Sequence, residues 1–209
     1  MKHCFTLFTL LLALSLPTLA SSVDFSNSGG TLSGTSAGLS VTGSMLIAVA
    51  EPTIGKLFTG NLGTVSFSTG ALSGGSLEMG GSFAAGGSFV ISTNGSQGLP
   101  SGVVFSGTFD GPSTWVLVTL ANGTHNYTLT GALTGTWITG ATVNGVAVQL
   151  TVNTGKGFFN GSTTISSGNT DFSGPGVTTF GTVPEPSSLI YMGSGLIGIV
   201  AMIRRKRQR

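Results

Sequence analysis

The sequence predicts an all-β fold, an antiparallel β-sandwich or jelly-roll-like domain, on three observations. Apolar residues in the middle of the chain recur at every second position, Asn-Gly pairs punctuate those runs, and no window of 21–183 carries a helical stripe. Period two is what a strand with one buried face produces, because successive side chains leave a strand on opposite sides.

The clearest strand is "VAVQLTVN" at 146–153, with Val146, Val148, Leu150 and Val152 on one face and Ala147, Gln149, Thr151 and Asn153 on the other. "YTLTGAL" at 127–133 and "VVFSGTF" at 103–109 alternate in the same way. "TWVLVTL" at 114–120 is apolar on both faces and predicts a more central strand. Asn144-Gly145 predicts a tight hairpin turn, since Asn-Gly readily supplies positive φ angles, and Asn122-Gly123 predicts another between 114–120 and 125–134. "LPSG" at 99–102 and "NTD" at 169–171 read as turns. "GGSLEMGGSFAAGGSFVI" at 74–91 repeats Gly-Gly-Ser-apolar three times. Three copies are too few for a solenoid, so the expectation is two glycine-kinked antiparallel strands with Leu77, Phe83 and Phe89 packed inward.

Composition narrows the function classes. Only 7% of the 209 residues are charged, against about 25% in ordinary soluble domains. The formal net charge of +2 comes from the two ends. Residues 21–180 hold Lys56 and Lys156 against Asp24, Glu51, Glu78, Asp110 and Asp171. A mildly acidic body has no cationic surface for phosphate, so nucleic acid is not an expected partner. The single cysteine, Cys4, lies outside the body, which therefore holds no disulfide.

Both ends read as targeting segments. Lys2, an apolar run from Phe5 to Leu16, and small residues through Ala20 have the layout of a secretory signal peptide over 1–20. Its apolar run is shorter than the roughly 20 residues that span a bilayer. At the other end, 187–203 is an uncharged run of 17 residues, read as one transmembrane helix, and 204–209 is a basic tail. Arg204, Arg205, Lys206 and Arg207 would stay cytoplasmic and orient that helix. Just before it stand Val183, Pro184, Glu185 and Pro186. Prolines on either side of Glu185 favour extended backbone, the form a protease cleft accepts.

A proline-flanked glutamate, an apolar helix and a terminal arginine cluster together resemble the PEP-CTERM sorting signal. The resemblance covers 181–209, with the motif at 183–186. It implies a Gram-negative bacterium, processing by the membrane protease exosortase, and frequent association with exopolysaccharide. It implies sorting and no particular activity.

The body offers little for catalysis. His125 is its only histidine and reads as a structural residue that ends a turn and starts a strand. The five acids are scattered along the chain, no metal-ligand spacing occurs, and no cofactor motif is present. No enzyme activity, metal or cofactor is therefore expected. Trp115 reads as core, whereas Trp137 and Tyr127 are candidate stacking surfaces for sugar rings.

The expected protein thus has a signal peptide at 1–20, a β-rich exported domain at 21–180 and a sorting tail at 181–209. It meets signal peptidase and an exosortase-like protease, and is anchored in the inner membrane before processing. It then resides at the cell surface or in the matrix, as a structural or interacting component of exopolysaccharide. A carbohydrate-binding module with an aromatic site is the alternative. Self-association is also expected, because few charges guard the strand edges.

Overall fold

The computed structural model describes residues 21–180, so the expected signal peptide, the sorting motif 183–186, the helix at 187–203 and the basic tail lie outside it. The described residues form thirteen strands and no α-helix. In order these are β1 (Ser22–Ser28), β2 (Thr31–Thr35), β3 (Gly38–Glu51), β4 (Lys56–Ser68), β5 (Leu72–Ser76), β6 (Gly80–Phe83) and β7 (Gly86–Asn94). They continue with β8 (Ser101–Phe109), β9 (Ser113–Thr119), β10 (His125–Trp137), β11 (Thr142–Asn153), β12 (Ser162–Thr164) and β13 (Ser167–Ser173).

The all-β prediction holds, but the architecture is neither a sandwich nor a jelly roll. Eight antiparallel strands close into a barrel in the order β11, β13, β1, β3, β4, β7, β8, β10, with β10 paired back to β11. Closure removes the free edges within these eight strands, which a sandwich would keep. The first and last of these strands in the chain zip together, from Ser22 opposite Ser173 to Asn27 opposite Gly168. Alternation was a sound guide to the inner face and no guide to closure, because both architectures bury every second residue.

Aromatic rings fill the interior. Phe67, Phe89, Phe105, Phe109, Phe172, Phe25, Trp137 and Phe180 form one connected set, with centroids 4.7–6.4 Å apart. Most neighbours meet edge to face, the geometry their quadrupoles favour. Glycine makes room for them. Gly107 and Gly135 face each other across β8 and β10, and a Cβ on either would fall within 2.8 Å of the Phe105 ring. The outer face is the reverse of a membrane-spanning barrel: it carries Ser, Thr, Asn and Gln where lipid would require an apolar band.

Beyond one end of the barrel the sheet forks. β9 succeeds β8 along the same edge of β10, after a break at 110–112, and continues into β6 and β5. On the other side β2 succeeds β1 along β3 and pairs with β12. Between these flaps sits a second aromatic group, Trp115, Tyr127 and Phe159, with Trp115 and Tyr127 stacked at 5.0 Å.

Several local expectations change. Asn144-Gly145 lies inside β11, where the register skips opposite Leu133–Gly135, so its positive φ serves a bulge. The hairpin turn falls instead at 138–141, closed by the Gly140 N–H donating to the Trp137 carbonyl. Asn122-Gly123 makes the predicted turn between β9 and β10. Residues 169–171 are strand, within β13. The Gly-Gly-Ser repeat forms three strands, β5, β6 and β7, with Phe83 and Phe89 buried and Leu77 packed against the core as expected. β9 is not central, because β6 covers only Ser113–Trp115 and leaves Val116–Thr119 paired to β10 alone. Its second apolar face, Val116, Val118 and Leu120, is exposed.

Candidate functional site

The aromatic candidates do not form a surface. Trp137 is 1% exposed and Tyr127 is fully buried, so neither ring presents a face to a sugar, and the proposed stacking site is corrected to core. On β10 Trp137 follows Leu133 and Gly135 on the inward side, while its neighbour Thr136 faces outward. Its indole N–H donates to Thr178 Oγ1 at 3.0 Å. His125 starts β10 as expected, stacked on Phe158 at 4.4 Å with Nδ1 3.2 Å from the Gly157 carbonyl oxygen.

Two features remain that bear on function. The first is the outer face of β9, β10, β11, β13 and β1. Register places Thr114, Thr130, Gln149, Asn169 and Ser26 in one row across all five strands. The next row is Val116, Thr128, Thr151 and Ser167, and a third joins Val118, Asn126 and Asn153. Neighbouring strands lie about 4.8 Å apart, so hydroxyls and amides repeat at short, regular intervals. Thr114 and Thr130 share a hydrogen bond of 2.6 Å, and Asn153 Nδ2 donates to Asn126 Oδ1. The polar halves of 127–133 and 146–153 are visible in the sequence, but Asn169 and Ser26 are remote in the chain and join them only through strand register.

One row further along, Ala132, Ala147, Asp171 and Asp24 are neighbours. The fold therefore brings together two acids that looked scattered. Partial burial, and then the charge of Asp171, push the Asp24 carboxyl above its ordinary range. The pair stands on the barrel wall, and no group of three or more His, Cys, Asp or Glu residues gathers among the described residues.

The second feature is the segment after β13. Residues 174–180 fold over one end of the barrel, burying Val177 and stacking Phe180 on Trp137 at 5.5 Å. The Phe180 N–H donates to Glu51 Oε1, a carboxylate buried at the end of β3. The chain thus enters its final stretch from a fixed point on the barrel, three residues before Val183.

No curated protein and no solved structure gives a significant match to the chain. A family model does match its last stretch, residues 182–206, and is described as the PEP-CTERM protein-sorting motif. Such a signal implies export and membrane processing by an exosortase, in agreement with the reading of Val183–Pro186 and the run that follows. The protein is one that carries a PEP-CTERM sorting domain, joined to a closed β-barrel through a segment packed into the barrel's end.

Proposed function

We propose that this is a surface or extracellular-matrix protein of a Gram-negative bacterium, without catalytic activity, that associates with exopolysaccharide. In this reading signal peptidase removes 1–20, the helix at 187–203 holds the chain in the inner membrane, and the exosortase-like protease then releases the barrel. The observation that carries the extracellular role is the five-strand ladder of Thr, Asn, Gln and Ser. A neutral glycan meeting it exchanges hydrogen bonds with water for hydrogen bonds with protein, and no charge loses its hydration. Each contact is weak, so attachment relies on many contacts along a polymer. That differs from the alternative, a module with one aromatic pocket, whose two candidate rings are core.

The test uses the processed protein recovered from the extracellular fraction. Co-sedimentation with the cells' own polysaccharide should fall several-fold in the double variant Gln149→Glu, Asn169→Glu. Unchanged co-sedimentation in that folded variant would remove the ladder from the proposal. Mass spectrometry of the same material should find a C-terminus at or near 184–188; an intact Arg209 would contradict processing.

A second reading, self-association, is favoured by one observation. Val116–Thr119 of β9 combine an unpaired edge with exposed Val116 and Val118 and no charge. Concentration-dependent assembly in the absence of glycan should be lost in Val118→Lys, as sedimentation velocity would register.

A further inference from the structure

We propose that the barrel end sealed by Phe180 rests on a lipid surface while the sorting tail is in place. This rests on reading 187–203 as a membrane span and adds to it an orientation and a contact surface.

The reach of the chain supports it. Phe180 is held by Glu51 and stacked on Trp137, so the barrel fixes the chain up to residue 180. From Phe180 to Ser187 there are seven chain steps, at most about 25 Å when fully extended. β3 and β10, with 14 and 13 residues, measure about 45 Å along their own length. The tether is therefore shorter than the long strands, and the Phe180 end stays the nearer one to the bilayer. The first described residues lie here too: Ser21 accepts from the Gly174 N–H and Ser22 donates to Thr53 Oγ1.

The side chains at this end suit the contact. Leu57, 66% exposed, projects beside the β3–β4 turn, and Ile138, 42% exposed, projects from the β10–β11 turn. Lys56 stands next to Leu57 with its ammonium 6.0 Å from the centre of the Phe58 ring. An apolar tip beside a lysine on an apolar stem is the composition that settles at a headgroup boundary. Asp24 and Asp171 share the register row of Leu57, so zwitterionic lipid is the favoured surface over anionic lipid.

The experiment places the full chain, carrying Cys4→Ser, in phosphatidylcholine vesicles containing lipid-borne quenchers. One environment-sensitive fluorophore is attached at a time, through Leu57→Cys, Ile138→Cys or Asn122→Cys, and vesicle flotation is measured in parallel. The expected result is flotation of all three, with the labels at 57 and 138 blue-shifted and quenched several-fold more than the label at 122. Flotation with equal quenching at the three sites would overturn the orientation and leave the membrane span standing. A chain that does not float would overturn the span and the proposal with it.

Discussion

The two ends of the molecule solve one problem with different materials. At both, an aromatic ring with a polar tip lies at the limit of the core and ties down the segment that covers it. At the forked end Trp115 Nε1 donates to the Leu77 carbonyl at 2.9 Å, and the Tyr127 hydroxyl donates to the Glu78 carbonyl at 2.6 Å. Tyr127 also accepts the Phe159 N–H at 3.0 Å. At the plugged end Trp137 holds Thr178 and Glu51 holds Phe180. The forked end is closed by turns anchored in strands on both sides. The plugged end is closed by 174–180, the stretch that leads toward the sorting signal. The matched sorting motif, 182–206, therefore follows directly on one short, packed segment of the barrel's end.

Removing either tryptophan tests this with the largest effect. Trp115→Ala and Trp137→Ala should each cost about 3–5 kcal/mol, read from denaturant unfolding. Hydrogen exchange then separates them: Trp137→Ala should expose 174–180, and Trp115→Ala should expose 77–79 and 158–159. Identical exchange patterns would erase the distinction between the ends. Tyr127→Phe comes next, at about 1–3 kcal/mol, because it leaves the Glu78 carbonyl and the Phe159 N–H without their partner. Thr178→Val should cost about 0.5–1.5 kcal/mol, with lost amide protection confined to the plug. Protection lost throughout the barrel would show that the plug is part of the global core.

The smallest effect is electrostatic and belongs to the plugged end. The Asp24 carboxyl is raised in the folded state, so folding binds its proton more tightly than the unfolded chain does. The associated stability is present below the ordinary value of 3.8 and is lost as pH rises through the folded value. Asp24→Asn should therefore stabilise the fold at pH 7 by less than about 1 kcal/mol, seen as a small rise in Tm, because solvent screens the partly exposed carboxylate. That gain should vanish below the ordinary carboxylate range. A gain that persists at acid pH would point to a cause other than the burial of the ionised carboxylate and its repulsion by Asp171.

Legibility followed the range of the interaction. The inward residues of β10 and β11 are readable from Leu129, Leu133, Val146 and Leu150, because alternation is a local property. Of Asn144-Gly145 only the glycine has the expected positive φ, and it serves a bulge instead of a hairpin. Trp137 misled because polar neighbours in sequence sit on the other face of a strand. The row from Thr114 to Ser26 was not readable at all, because it exists only once five strands are in register.

By itself the sequence determined the strand-rich body, its inward side chains and the sorting tail, whose matched stretch, 182–206, is a contiguous signal read by its order of residues. Only the tertiary structure decided that the strands close into a barrel, that Trp137 and Tyr127 are core, and that Asp24 meets Asp171. The physical reason is that local alternation sets which face of a strand is buried. Strand pairing between distant segments sets what each face meets, and one chain's spacing does not encode those partners.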